Sequence, residues 1–421
     1  MVAGNLRSTR TALLAIVALA IALRLAFALG YWTGQPLTRD EREYLSLARG
    51  LASGAGFVYD DVAREGGVDP FGRAPGYPAF LAVIGAGRQV TPHVPTIAQV
   101  AQSVVGGLGV WMVFLLARRL AGDRAGLAAA LAAACYPPLI WIAAYGFSEA
   151  VFWPLGLWVT WLFDRAHHAS NPRDRIRLSL LTGLCAGVAV LVRPSMLFFL
   201  LLAGPWWVWK RRWVPVAALA IGSLLIIGPW TARNFEAHGR FVLVASEGGV
   251  TFWTGNHPLA VGDGDMAANP QIKVAMRALQ AQHPHLSEED LEPVYYAQAF
   301  AWMRAHPWDW LTLQLRKVFY LIVPIGPSYT LHSPLYFWAS VVSYGVVLPL
   351  ALLGLWRRRG ALGATPGLWL LAGSAIAVCL VFFPQERFRI PVIDPTLLIL
   401  AGTLLSGAWP SRPTAEARMA A

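Results

Sequence analysis

The sequence predicts an all-α polytopic membrane protein, a bundle of about ten transmembrane helices with two large segments on its outer side. Three observations lead there. Of 421 residues, 56% are hydrophobic and only 14% charged, with 19 Trp and 19 Phe, and a soluble chain would carry far more charge. The apolar residues fall in long runs divided by short charged connections, and separate runs in lipid satisfy their backbone hydrogen bonds only as helices. Arginine and lysine gather in every second connection, as expected where positive charge stays cytoplasmic.

The runs lie at 11–31, 95–117, 125–145, 147–163, 176–194, 196–209, 213–231, 335–356, 364–383 and 391–409. The basic groups are Arg7 and Arg10, Arg118-Arg119 with Arg124, Arg165 to Arg177, Lys210-Arg211-Arg212, Arg357-Arg358-Arg359, and Arg412 with Arg418. They place both termini in the cytoplasm. Trp308 to Ile325 is a further apolar stretch, but Arg316-Lys317 occupies its centre. A cation at mid-helix costs about 2.5–3.5 kcal/mol on insertion, so this stretch is expected to lie in the outer interface. The first run ends at Tyr31-Trp32 without a small-residue cleavage site and reads as an uncleaved anchor.

The net charge of +11 is explained by the basic groups facing anionic lipid and calls for no nucleic acid. Cys135, Cys185 and Cys379 all fall within runs, so no loop cysteine offers a disulfide or a zinc thiolate. No Walker A loop and no serine-hydrolase elbow is present. The chain is expected to be a single integral membrane domain over 1–421, with polar chemistry confined to outer segments 32–94 and 232–334.

The first outer segment opens with Thr38-Arg39-Asp40-Glu41-Arg42-Glu43-Tyr44, directly after a run. A carboxylate pair at a membrane surface suits acid-base work on a lipid-borne substrate. Thr38-x-x-Glu41 is equally a capping box, so spacing alone leaves a structural and a functional reading open. Tyr44, Leu45, Leu47, Ala48, Leu51 and Ala52 give a helix over Thr38–Ala52 one apolar face. The acids Asp60, Asp61, Glu65 and Asp69 follow, then Arg73-Ala74-Pro75-Gly76-Tyr77-Pro78 at the entry to an apolar helix. Arg73 suits either a phosphate or a lipid headgroup.

The second outer segment carries Gly248-Gly249, Trp253 and Gly255-Asn256, then a helical stretch from Asn269 to Ala305. Trp253 and Asn256 could stack on and bond a sugar, or equally form a buried turn. Gly262-Asp263-Gly264-Asp265 lacks the glutamate that closes an EF-hand loop. His238, His257, His283, His285, His306 and His332 show no spaced ligand set, so a divalent cation stays open and no other cofactor is implied. Arg193, Arg233, Arg387 and Arg389 all fall at outer ends of runs, where a phosphate would sit or where a guanidinium would snorkel. Arg24 lies inside the first run, where an ionisable group is a functional candidate.

Asp40-Glu41-x-x-Tyr44-x-x-x-Ala48 followed by Arg73-x-Pro75-x-Tyr77-Pro78 resembles the first periplasmic loop of GT-C glycosyltransferases, in particular the bacterial protein O-mannosyltransferase-like and aminoarabinose transferase-like enzymes. The resemblance extends through Tyr136-Pro137-Pro138, Ser148-Glu149, Leu191-Val192-Arg193-Pro194, Pro229-Trp230-Thr231-Ala232-Arg233-Asn234, Trp253-x-Gly255-Asn256 and Glu386-Arg387-Phe388-Arg389-Ile390-Pro391. The last run lies near the end of the sequence, so the separate C-terminal soluble domain of oligosaccharyltransferases is not expected here. The resemblance implies transfer of a sugar from a polyprenyl-phosphate carrier to an envelope acceptor (lipid A or lipopolysaccharide, another glycan, or a protein) at the periplasmic face of the bacterial inner membrane. It implies Asp40 as the base, with Glu41 positioning or assisting. Arg73, Arg193, Arg233, Arg387 and Arg389 are then candidates for the donor phosphate, and Tyr44, Tyr77, Trp253 and Asn256 for substrate. One catalytic carboxylate suffices for inversion at the anomeric carbon. A flippase of polyprenyl-linked glycans, and a glycan ligase or polymerase, are the alternatives; a flippase would place more charge at mid-membrane.

Overall fold

All regular structure among the described residues of the computed structural model, namely 2–60, 72–88, 90–264, 269–287, 289–323 and 333–405 with side chains from Ser8 onward, is helical. Asp61, Glu65, Asp69, Asp265, His332, Arg412, Arg418 and the Arg7 side chain lie outside the described set.

Helix α1 (Val2–Ala26) runs into a π-helical turn, Phe27–Tyr31, and α2 (Arg39–Ser53) and α3 (Gly76–Val83) follow. The long α4 (Thr96–Cys135) is broken at Ala121 and Gly122, where Gly122 adopts a φ of 83°. The chain folds back there, because Gly126 packs on Phe114 and Arg118 pairs with Asp123 at 2.7 Å. The two runs expected at 95–117 and 125–145 thus form a helical hairpin.

Then come α5 (Pro137–Trp141), α6 (Glu149–His168), α7 (Pro172–Val192), α8 (Leu197–Trp209), α9 (Trp213–His238) and α10 (Gly248–Gly255). The stretch expected to be helical from Asn269 to Ala305 holds α11 (Pro270–Gln282) and α12 (Glu292–Ala305). The series closes with α13 (Pro307–Ile322), α14 (Pro334–Arg358), α15 (Pro366–Val381), the one-turn α16 (Glu386–Arg389) and α17 (Ile393–Gly402). Proline opens α5, α7, α11, α13, α14 and α15, where its missing N–H would have no intrahelical partner.

Five of these stretches are long and apolar enough to cross a membrane, Ser8–Tyr31, Thr96–Cys135, Pro172–Val192, Trp213–His238 and Pro334–Ala364, and three shorter apolar helices join them. The core is made where α1 packs on α4, α6 on α7, α7 on α9, and α17 on both α4 and α14. Lipid gives no hydrophobic drive between helices, so close backbone approach matters. At the α7–α9 crossing a Cβ on Gly183 would lie 2.2 Å from the Leu219 carbonyl oxygen.

The two ends of the bundle differ in charge. At one end Arg119 donates to the Ala364 carbonyl and Arg212 to that of His167, among the arginine-rich connections. At the other end the segments containing α2, α3 and α10–α13 cover the helix termini. Helix α13 turns Trp308, Leu311, Leu315, Phe319 and Ile322 outward and buries Leu313 and Lys317, a pattern suited to an interfacial helix.

Arg24, fully buried, is a helix cap. Its guanidinium donates to the Ala20 carbonyl at 2.9 Å and to the Ala133 carbonyl at 3.4 Å, two residues from the end of α4, where unsatisfied carbonyls carry the negative end of the dipole.

Gly183→Ala should lower thermal stability in detergent by about 1–3 kcal/mol through overpacking. Gly228→Ala, where a Cβ meets nothing within 4 Å on the same α9, should be neutral or slightly stabilising because alanine favours helix.

Candidate active site

At the N-terminus of α2 the two carboxylates have different partners. Thr38 Oγ1 accepts from the Glu41 amide at 3.4 Å, and Glu41 Oε2 accepts from the Thr38 amide at 2.7 Å, completing the capping box. The other Glu41 oxygen accepts from the Gly146 amide at 2.8 Å, which bolts α2 onto the connection between α5 and α6. Burial pushes the Glu41 carboxyl up, offset in part by these amides. Asp40, one residue earlier, points the opposite way.

Asp40 is held between two guanidiniums. Its Oδ1 accepts from Arg73 Nη2 at 2.7 Å and its Oδ2 from Arg387 Nη1 at 2.6 Å. Burial alone would raise its carboxyl, but Arg73 and Arg387 outweigh that and hold it well below the usual carboxylate range. Arg73 is the hub, because it also donates to Glu43 at 2.6 Å and to Glu247 at 2.7 Å. Glu43 receives Arg39 at 2.8 Å. Glu247 is raised by burial, with Arg73 opposing.

The frame around Arg73 is aromatic. Its guanidinium lies 5.2 Å from the Tyr44 ring centre, Tyr44 meets Tyr77 edge-on at 5.0 Å, and the Tyr77 hydroxyl donates to Gln102 on α4 at 2.6 Å. Gly76 seats α3 against the backbone of Leu191 and Val192, where a Cβ would come within 2.7 Å. Tyr44 and Tyr77, expected as substrate contacts, are buried supports of Arg73.

Arg387 comes from the C-terminal part of the chain, on the strap between α15 and α17. It sits 5.3 Å from each of the Phe147 and Phe388 rings and 3.9 Å from Glu149, which Arg193 pairs at 2.7 Å. The second outer segment holds this strap by capping α15. Asn256 Nδ2 donates to the Val381 carbonyl at 2.9 Å and Lys317 Nζ to the Leu380 carbonyl at 2.9 Å. Lys317 Nζ and Trp310 Nε1 both donate to Asn256 Oδ1, at 3.3 and 3.1 Å. Burial lowers the Lys317 amine to about 7.

The structure therefore brings Asp40, Arg73, Arg193 and Arg387 together and leaves other expected residues outside. Arg233 stacks on Trp230 at 5.0 Å and reaches Phe57 and Asn234. Arg389 turns inward to Asp394 at 2.8 Å, over the Tyr344 ring. Trp253 is buried and donates to Gln298 at 3.1 Å, and Asn256 spends its amide on α15. The polar atoms of both have protein partners. Glu43 and Glu247 went unnoticed as site residues. Glu43 follows Asp40 by about one turn on the same helix, a usable signal, whereas Glu247 has only its place before Gly248-Gly249. Among the described residues no three His, Cys, Asp or Glu side chains converge to hold a metal ion.

Residues 74–231 match the family described as dolichyl-phosphate-mannose-protein mannosyltransferase. The archaeal oligosaccharyltransferase AglB from Archaeoglobus fulgidus, in complex with an inhibitory peptide and a dolichol-phosphate, superposes with a TM-score of 0.54 at 14% identity over 93% of this chain and 50% of that one. The fold is that of the GT-C glycosyltransferases. The Archaeoglobus fulgidus oligosaccharyltransferase tethered with an acceptor peptide gives 0.54 at 13% identity, over 93% and 49% of the two chains. ArnT from Cupriavidus metallidurans, bound to undecaprenyl phosphate, gives 0.41 at 14% identity over 96% and 78%. This chain spans about half the length of the AglB structures. No curated protein matches it in sequence. The match at 74–231 contains Tyr77, Glu149 and Arg193 but not Asp40, Arg73 or Arg387, which the fold brings in from the flanking parts of the chain.

The buried amine gives a signed pH test. Unfolded, Lys317 holds its proton up to its ordinary value of 10.5, whereas folded it releases it near 7. Between those limits the unfolded state binds more protons, so stability rises with pH, and below about 7 this residue adds no slope. Lys317→Met should remove that rise in thermal unfolding from pH 7 to 10; identical slopes would contradict the assignment.

Proposed function

We propose that this GT-C protein is an inverting glycosyltransferase that moves a sugar from a polyprenyl-phosphate carrier to a hydroxyl of an envelope acceptor, working at the periplasmic face of a bacterial inner membrane that its helices cross about ten times. The observation that carries the reading is the position of Asp40: a carboxylate partly open to solvent at the loop end of the bundle, within reach of two guanidiniums, one of them also partly open.

The chemistry follows from the donor. A glycosyl phosphate already contains its leaving group, so the protein must activate a nucleophile and stabilise a growing phosphate charge. Asp40 takes the proton of the acceptor hydroxyl as that oxygen bonds to the anomeric carbon. The bond from that carbon to the phosphate oxygen breaks, its electron pair stays with the phosphate, and Arg387 meets the new charge. Attack opposite the leaving phosphate inverts the anomeric centre, for which one carboxylate is enough.

Glu41 positions rather than reacts, since Thr38 and Gly146 engage both its oxygens. Arg73 anchors Asp40 and Arg193 acts through Glu149. Arg233 lies on an aromatic pair away from the ion cluster and is assigned to the interface, and Arg389 to the core pair with Asp394. The dolichol-phosphate in the AglB complex supports a lipid phosphate as donor part, and the mannosyltransferase family match supports a hexose.

Transfer of labelled sugar from synthetic polyprenyl-phosphate sugars, by purified protein in liposomes, is the test. Asp40→Asn should lose about 10²–10⁴-fold in kcat while remaining folded, the usual contribution of a general base. Wild-type rates in that variant would remove Asp40 from the chemistry.

A further inference from the structure

We infer that Asp40 is masked in the free protein and that the donor phosphate unmasks it, by taking Arg387 in exchange for the Asp40 carboxylate. The inference rests on the proposed polyprenyl-phosphate donor and adds to it an order of events: the base becomes competent only after the carrier phosphate has docked.

Both Asp40 oxygens are occupied, at 2.7 Å by Arg73 and at 2.6 Å by Arg387. A carboxylate bonded in this way is a weak base, because taking a proton means surrendering two charge-assisted bonds. The two guanidiniums are not equally able to leave. Arg73 is 7% exposed and shared with Glu43 and Glu247; withdrawing it would strand buried charge, a large penalty. Arg387 is 32% exposed, lies between Phe147 and Phe388, and sits on a one-turn helix within a strap rather than in a spanning helix. Its second carboxylate, Glu149, is 3.9 Å away and already paired with Arg193 at 2.7 Å.

Charge balance drives the exchange. Among the described residues the cluster pairs the carboxylates Asp40, Glu43, Glu149 and Glu247 with the guanidiniums Arg39, Arg73, Arg193 and Arg387, so its formal charge is zero. An arriving phosphate anion finds no spare cation in it and must displace a carboxylate from one. The accessible pair is Arg387 with Asp40. Once Arg387 turns to the phosphate, Asp40 Oδ2 is free to accept the acceptor's hydroxyl hydrogen while Arg73 still holds Oδ1.

The test is equilibrium binding of farnesyl phosphate, which carries the prenyl phosphate and no sugar, to the full-length protein in nanodiscs. Asp40→Asn should bind it roughly tenfold more tightly than wild type, because its amide no longer competes for Arg387. Glu247→Gln, which removes one negative charge from the same cluster but no partner of Arg387, should change affinity far less. Arg387→Gln should weaken binding, and adding Asp40→Asn in that background should restore little, the non-additivity of a shared contact. Equal effects of Asp40→Asn and Glu247→Gln would reduce the exchange to general electrostatics and overturn it. An Asp40→Asn gain that persists without Arg387 would overturn it as well. Failure of farnesyl phosphate to bind any of these proteins would refute the polyprenyl-phosphate reading itself, and the exchange with it.

Discussion

One buried guanidinium organises the outer face of this protein. Arg73 meets Asp40 and Glu43 from α2 and Glu247 from the approach to α10, so carboxylates from two segments remote in sequence converge on one cation. Such an arrangement is stable only if complete, because a missing partner leaves an uncompensated buried charge worth about 3–5 kcal/mol. Its cost is met locally by preorganisation: the Glu41 capping box and its bond to Gly146 fix α2, while Tyr44, Tyr77 and Gln102 fix the floor beneath Arg73. The cluster is consequently rigid on the Arg73 side and adjustable on the Arg387 side.

The membrane explains why the polar cluster is where it is. Helices in lipid must satisfy their own backbone, leaving unsatisfied groups only at their ends. Here those ends are used twice. Arg24 closes the carbonyl end of α4, and Asn256 with Lys317 closes that of α15. The second cap does more than stabilise a terminus, since it fixes the start of the strap that delivers Arg387 to Asp40. Asn256 and Lys317, 125 and 63 positions from the carbonyls they cap, thus act on the strap rather than on Asp40 itself.

The helical bundle and its long apolar helices were legible in the sequence because hydrophobic run length is a property of single stretches. Asp40, Arg73 and Arg387 were legible as candidates through motif order. What the sequence could not separate was which arginine faces the site: Arg387 and Arg389 are two residues apart on a one-turn helix, and only packing turns one toward Asp40 and the other toward Asp394. Trp253 and Asn256 read as sugar ligands for the same reason that they make good buried residues, each combining a large or polar surface with a hydrogen-bonding handle. Glu247 had no local signal, since its role exists only through a contact across 174 positions. The hairpin in α4 was visible as two runs, and Gly122 is the residue that permits the reversal.

The central claim is that the Asp40 cluster is a phosphate-receiving active centre, and the most direct measurement is a cryo-electron microscopy structure of the protein with a non-hydrolysable polyprenyl-phosphonate sugar. The account requires the phosphonate within hydrogen-bond distance of Arg387, the anomeric carbon facing Asp40, and Arg73 unmoved between its carboxylates. A phosphonate bound elsewhere, for instance beside Arg233 with the Asp40–Arg387 pair intact, would contradict it.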